Sequence, residues 1–213
     1  MIKAVIFDLW GTTLYSEGTF GKSAMKLLKI QHNEEKKFWE SLEEHWMKRR
    51  FETVEEAATH TLGRTFGIKD AEKIKKFASL YEEDRKYVRL FDDVVPAIKK
   101  LRKKYKIGLL SNTDCFTGPI LEEIGFLKLF DAAFLSCDHG KLKPDKNFFK
   151  RILKTLNVKP EESVMIGDTI KSDIIPAKQL GMNAIFIDRH NKHPKVKGRI
   201  KSLVDLEEVI QKM

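Results

Sequence analysis

The first fourteen residues constrain this chain more than any other stretch. Ile2, Ala4, Val5, Ile6 and Phe7 form an apolar, largely β-branched run, the pattern of a strand buried on both faces of a parallel sheet. Asp8 ends that run, and Gly11 and Thr12 follow within a turn. A carboxylate at the C-terminal end of a central strand stands in the crevice where open α/β sheets bind ligands. Gly11 permits a sharp turn and lets backbone N–H groups approach an anion. An aspartate that merely caps a turn has the same local sequence, so the remainder of the chain has to decide.

From Leu14 to about Val88 strand signals give way to helical periodicity. Phe38, Leu42, Trp46 and Arg49 recur at three- and four-residue spacing, with Trp39 one step away. Ala57, Ala58, Thr61, Leu62 and Thr65-Phe66 mark a second stripe, and Ala71, Ile74, Phe77, Ala78, Tyr81 and Arg85 a third. Thr53 with Glu56 reads as a capping box and Gly67 as a helix stop. Trp39 and Trp46 could line a pocket facing the site at the sheet edge, but the core of a helical bundle is the expectation for each, because aromatics at this spacing usually pack inward.

After Asp92 the pattern turns to regular βα alternation. Strands are expected at Lys106–Leu110, Ala132–Ser136, Glu162–Ile166 and Asn183–Ile187. Helices are expected at Val94–Leu101, Pro119–Ile124, Asn147–Leu156, Ile174–Leu180 and Asp205–Gln211, with a polar loop at Arg189–Gly198. The fold class that follows is α/β: a Rossmann-like parallel sheet with helices on both faces and an inserted all-α unit. The core is expected over residues 1–14 and 89–213 and the helical insertion over 15–88. A length of 213 residues accommodates both.

Parallel strands place their C-terminal ends on one sheet edge. There Asp8 and Thr12 meet Ser111 and Asn112, Lys143, and Asp168 with Asp173. Several carboxylates around one ammonium repel one another unless a divalent cation sits among them. Magnesium suits such a site because it takes few carboxylates, keeps water and bridges to phosphate. The net charge of +9 does not by itself signal a nucleic-acid partner, since the lysines run through the whole chain and mix with glutamates. No apolar run reaches membrane-spanning length, and no secretory leader is evident. With only Cys115 and Cys137, two free thiols are expected, and a monomer in the cytoplasm.

The chain resembles the haloacid dehalogenase superfamily over essentially its whole length. Asp8-Leu9-Trp10-Gly11-Thr12 is similar to the first family motif and Leu110-Ser111-Asn112 to the second. Gly140-Lys141-Leu142-Lys143-Pro144 with Phe148 is similar to the third, and Gly167-Asp168-Thr169-Ile170-Lys171-Ser172-Asp173 to the fourth. The insertion after the first motif resembles a cap of the first type. The resemblance implies Asp8 as the nucleophile that forms an aspartyl-phosphate. It also implies Mg2+ held by Asp8, the Trp10 carbonyl and Asp168, with Asp173 nearby. Ser111, with Thr12 or backbone N–H groups, would bind the phosphoryl oxygens, beside Asn112 and Trp10, and Lys143 would neutralise transition-state charge.

Trp10 departs from the family pattern. Phosphatases carry a second aspartate there to protonate the leaving oxygen, and an indole N–H does not exchange a proton at neutral pH. Three readings stay open. One is a magnesium phosphatase acting on a small phosphorylated metabolite, slow or served by another acid such as Asp114, His139 or a cap residue. Another is a 2-haloacid dehalogenase, whose halide leaves without a proton. The third is a degenerate member that binds without turnover.

Overall fold

Successive residues of the first strand, β1 (Ala4–Phe7), pack into different halves of the core, as the two-residue strand period requires. Val5 and Phe7 join one buried apolar cluster, and Ala4 and Ile6 join another. The structure, a computed structural model, describes residues 1–213. After β1 come β2 (Leu14–Ser16) and four helices: α1 (Phe20–Leu28), α2 (Glu35–His45), α3 (Val54–Phe66) and α4 (Ala71–Asp84). Next are β3 (Val88–Leu90), α5 (Val94–Leu101), β4 (Lys106–Ser111), α6 (Thr117–Glu123), β5 (Ala132–Leu135) and the short α7 (Ser136–His139). Then α8 (Lys146–Leu156) and β6 (Ser163–Gly167) lead into a π-helical turn at Ile170–Ile174. The chain closes with α9 (Ile175–Gln179), β7 (Asn183–Phe186) and α10 (Leu206–Gln211).

Five strands form one parallel sheet in the order β5-β4-β1-β6-β7. Residues of α5 and α10 pack with Val5 and Phe7, and residues of α8 and α9 pack with Ala4 and Ile6, so both faces are covered. The chain builds β4 and β5 on one side of β1 and then crosses to build β6 and β7 on the other. The C-terminal end of β1 is therefore the point where strand order reverses, and Asp8 stands there. No helix is long and apolar enough to cross a membrane.

Helices α1 to α4 enclose a third cluster that includes Phe38, Leu42, Trp46, Leu62 and Phe77. Trp46 is in this core as expected, but Trp39 is not: it is 40% exposed and rests edge-on against Phe38. Its single-residue offset from the Phe38–Leu42 stripe turns it about 100° round the helix. The expected capping box at α3 is half formed. The Thr53 hydroxyl accepts the Glu56 N–H at 3.1 Å, whereas the Glu56 carboxylate reaches past Thr53 to the Glu52 N–H.

Three further differences concern element ends. β2 and β3 pair antiparallel across the stretch expected to be free of strands, being too short to show a two-residue period. The helix expected from Ile174 begins one residue later, behind the π turn that carries Asp173. The strand expected to include Ser136 stops at Leu135, and Ser136 opens α7.

Candidate active site

The side chains at the strand ends converge. Asp8 is 5% exposed, and its Oδ1 accepts a hydrogen bond from the Lys143 ammonium at 2.5 Å. The same ammonium donates to Asp173 Oδ1 at 2.6 Å. Asp173 is held by the π turn, where its other oxygen accepts the Thr169 N–H at 2.9 Å. Asp168 completes an acidic trio in which one carboxylate oxygen from each residue lies within 4.8 Å of the others. Lys143 thus supplies one positive charge to three carboxylates.

That imbalance shows in the acidities. Burial pushes the Asp168 carboxyl well above the usual range, and the neighbouring Asp8 and Asp173 carboxylates push it further. Burial also raises Asp173, although Lys143 opposes the shift. For Lys143 burial disfavours the charge, but Asp173 and Asp8 more than offset this and hold its pKa above that of an ordinary lysine. A divalent cation among the three carboxylates would relieve the repulsion, so the donor set fits magnesium.

The loop after β1 is folded by its own backbone. Leu9 O accepts the N–H groups of Thr13 and Leu14, and Gly11 N–H donates to Leu14 O at 2.8 Å. Gly11 has φ +73°, and a Cβ there would run into the Asp168 carboxylate. The Gly11 and Thr12 N–H groups hold this turn, Thr12 through a longer bond to Leu9 O. The buried Thr12 hydroxyl lies 3.5 Å from Asp8 Oδ2, and the Thr12 carbonyl accepts two bonds from Arg189. Arg189 also pairs with Asp93 and lies over the Phe91 ring. It props the loop after β1 from a tail that has no periodicity to reveal it.

Ser111 is fully buried at the end of β4, with its hydroxyl 3.3 Å from the Asn112 carbonyl. Asn112 is committed to Lys143: its Oδ1 accepts the Lys143 N–H at 2.7 Å and its Nδ2 donates to the Lys143 carbonyl at 3.0 Å. It positions the lysine backbone and also lines the cavity between the helical insertion and the sheet. The Trp10 indole N–H donates to the Thr113 hydroxyl at 3.0 Å. That donor is already engaged.

A cavity of about 580 Å³ opens between the helical insertion and this edge of the sheet. Trp10, Asn112 and Asp114 line it from the core, and Phe20, Trp39, Glu43, Trp46 and Tyr81 from the insertion. A second cleft runs beside it between Glu40, Glu43 and Lys48 on one side and Lys141 and Lys143 on the other. Glu43 lines both, and helical periodicity alone did not single it out. Asp114 caps the start of α6: Oδ1 takes the Phe116 and Thr117 N–H groups and Oδ2 the Thr117 hydroxyl. His139 lies flat on Phe134 with ring centroids 4.2 Å apart. Of these two candidate replacement acids, Asp114 is committed on both oxygens and His139 lines neither cavity. Cys115 and Cys137 are both free thiols and both buried.

A family model for haloacid dehalogenase-like hydrolases matches residues 2–181. Glyceraldehyde 3-phosphate phosphatase of Methanopyrus kandleri is 30% identical over 89% of this chain and 85% of its own length. Against the Pyrococcus furiosus protein of that name, identity is 32% over 53% of this chain and only 49% of the relative. Mouse N-acylneuraminate-9-phosphatase is 26% identical over 91% and 85% of the two chains. Among solved structures, a phosphatase of this superfamily from Thermococcus onnurineus superposes with a TM-score of 0.68 at 24% identity, covering 98% of both chains. A 2-haloacid dehalogenase from Pseudomonas syringae does so with 0.69 at 24% identity, covering 100% of this chain and 99% of the other.

Proposed function

The chain belongs to the haloacid dehalogenase-like hydrolases, and from that premise we propose that it is a magnesium-dependent phosphatase acting on a small phosphorylated substrate. One observation carries this reading. The Lys143 ammonium bridges Asp8 and Asp173 beside Asp168, an arrangement able to receive a phosphoryl group and a divalent cation together.

Asp8 is the nucleophile. Its attack on phosphorus gives an aspartyl-phosphate, which water then opens. Asp8, Asp168 and the Trp10 carbonyl would hold magnesium, with Asp173 beside them. Bound magnesium supplies Lewis-acid charge neutralisation on the phosphoryl oxygens. The Ser111 and Thr12 hydroxyls orient those oxygens. Lys143 is fixed along its backbone by Asn112 and meets the charge that develops in the transition state. Residues 15–88 form a cap, residues 1–14 and 89–213 the core, and the cavity between them excludes water when it closes. The protein works as a cytoplasmic monomer, without nucleic acid or membrane as partner.

Trp10 favours a second reading, a 2-haloacid dehalogenase, since a departing halide needs no proton. The acidic trio speaks against it, because halide displacement has no use for a cation site. A paired assay on metal-stripped protein separates the two. Magnesium-dependent release of phosphate from 4-nitrophenyl phosphate is the expected result. Metal-independent chloride release from 2-chloropropionate would replace this reading with the second. Retention of a phosphorylated compound without product would instead indicate a binding protein.

A further inference from the structure

With an indole at position 10, a phosphatase needs its leaving-group acid from elsewhere. Four carboxyl side chains line the cavity: Glu35, Glu43, Asp84 and Asp114. Asp84 is committed on both oxygens, to the Phe20 N–H and the Ser16 hydroxyl, each at 2.7 Å. Asp114 is committed on both to the start of α6. Glu35 pairs with His32 at the outer end of α2. Glu43 lies eight residues further along that helix, near the same face. It is half-buried and stands where the cavity above Trp10 and Asn112 meets the cleft above Lys143.

We propose that Glu43 is the general acid–base of this hydrolase, acting from the cap on the side of the phosphoryl group that faces the substrate cavity. The inference rests on the phosphatase reading above. As Asp8 Oδ bonds to phosphorus, the ester P–O bond breaks, and the departing oxygen takes the Glu43 proton and leaves as a neutral alcohol. The Glu43 carboxylate then removes a proton from water as that water's oxygen attacks the phosphorus of the aspartyl-phosphate. The Asp8–phosphorus bond breaks, inorganic phosphate forms, and Glu43 is again protonated. Every proton taken is returned.

The surroundings of Glu43 suit the acid form. Burial raises its pKa first, and the Glu40 and Asp8 carboxylates add to the rise; the Asn112 amide and the Lys143 ammonium oppose it. A raised pKa keeps the proton available to higher pH.

The test compares magnesium-loaded wild type, Glu43→Gln and Glu43→Asp on two aryl phosphates of similar shape. Phenyl phosphate releases a phenol with a pKa of about 10, like tyrosine, which needs the proton; 4-nitrophenyl phosphate releases a far better leaving group. Glu43→Gln should lose about 10²-fold or more in kcat/KM on phenyl phosphate and much less on the nitrophenyl ester. Glu43→Asp should recover part of the loss. The alkaline limb of the wild-type pH profile on phenyl phosphate should vanish in Glu43→Gln. An equal loss on both substrates, with no recovery by aspartate, would make Glu43 a shaping residue and overturn the proposal. So would no loss on either. If wild type released phosphate from neither ester, the phosphatase reading itself would fall, and the acid role with it.

Discussion

At the scale of single residues, Lys143 decides whether the acidic edge of the sheet holds together. Its ammonium is buried between Asp8 and Asp173, and breaking a buried pair by removing one partner leaves uncompensated charge. Lys143→Met should therefore cost about 3–5 kcal/mol of stability, read as a lower urea midpoint at unchanged slope. It should also lower phosphatase turnover by about 10²-fold or more, as loss of a transition-state donor does. A midpoint equal to that of wild type would show that Lys143 does not hold the acidic edge together. Trp10 presents the opposite case, a residue whose removal should help. Its N–H is spent on Thr113, so Trp10→Asp gives up one hydrogen bond and adds a carboxyl at the start of the turn after Asp8. Turnover on phenyl phosphate should rise, most clearly in the Glu43→Gln background, where no other acid serves. A correctly folded double variant with no gain would refute this account of position 10.

At the scale of elements, stability of the helical insertion depends on helix ends that are separate from the acidic edge. Thr53 accepts the Glu56 N–H at the start of α3, and Gly67 closes that helix in the left-handed region at φ +65°. Thr53→Ala should lower unfolding free energy by about 0.5–2 kcal/mol while kcat on 4-nitrophenyl phosphate stays within a factor of two, as denaturant titration and steady-state kinetics can check. A large loss of kcat would mean that the α3 cap also sets the cavity. These elements were unequally legible in the sequence. In β1, Asp8 at the end of an apolar run fixed both a strand and a place, because parallel topology brings every such strand end to one edge. Asp168 and Lys143 followed by the same argument. Glu43 did not, since periodicity marks the buried stripe of α2 and is silent on which remaining face looks toward Asp8. Asn112 was visible as a polar strand end, but its grip on the Lys143 backbone depends on a loop conformation that residue types do not encode. The β2–β3 ribbon, at three residues a strand, carries too little alternation to be read at all.

At the scale of the whole molecule, the helical insertion is joined to the sheet unit at several places, among them the Arg85 guanidinium, which donates to the Phe116 carbonyl at 3.0 Å. Another is the ribbon of β2 and β3. A third is the segment after α2, where Met47 O accepts the Ser136 hydroxyl at 2.6 Å, Phe51 N–H donates to Cys115 Sγ, and Arg50 pairs with Asp138. The edge of the sheet that gathers Asp8, Asp168 and Asp173 carries excess negative charge of its own, so its electrostatics bear on global stability. A ligand that binds only the folded state stabilises it by RT ln(1 + [L]/Kd), about 2.7 kcal/mol at a hundredfold excess over Kd. For a chain of this size that corresponds to a rise of roughly 5–10 °C in Tm when saturating magnesium is added to stripped protein. Asp168→Asn should act in two opposite directions. Without metal it should melt higher than wild type, because it removes one of three like charges that burial already penalises. With magnesium its further rise should be much smaller than that of wild type, because a ligand is missing. Parallel melting curves with and without magnesium check both signs without recourse to activity. If the metal-free variant melted lower, Asp168 would be a structural carboxylate held by its neighbours. If magnesium raised both proteins equally, the cation would bind elsewhere. The crossing of the two effects belongs only to a carboxylate kept in a repulsive cluster for the cation it helps to hold.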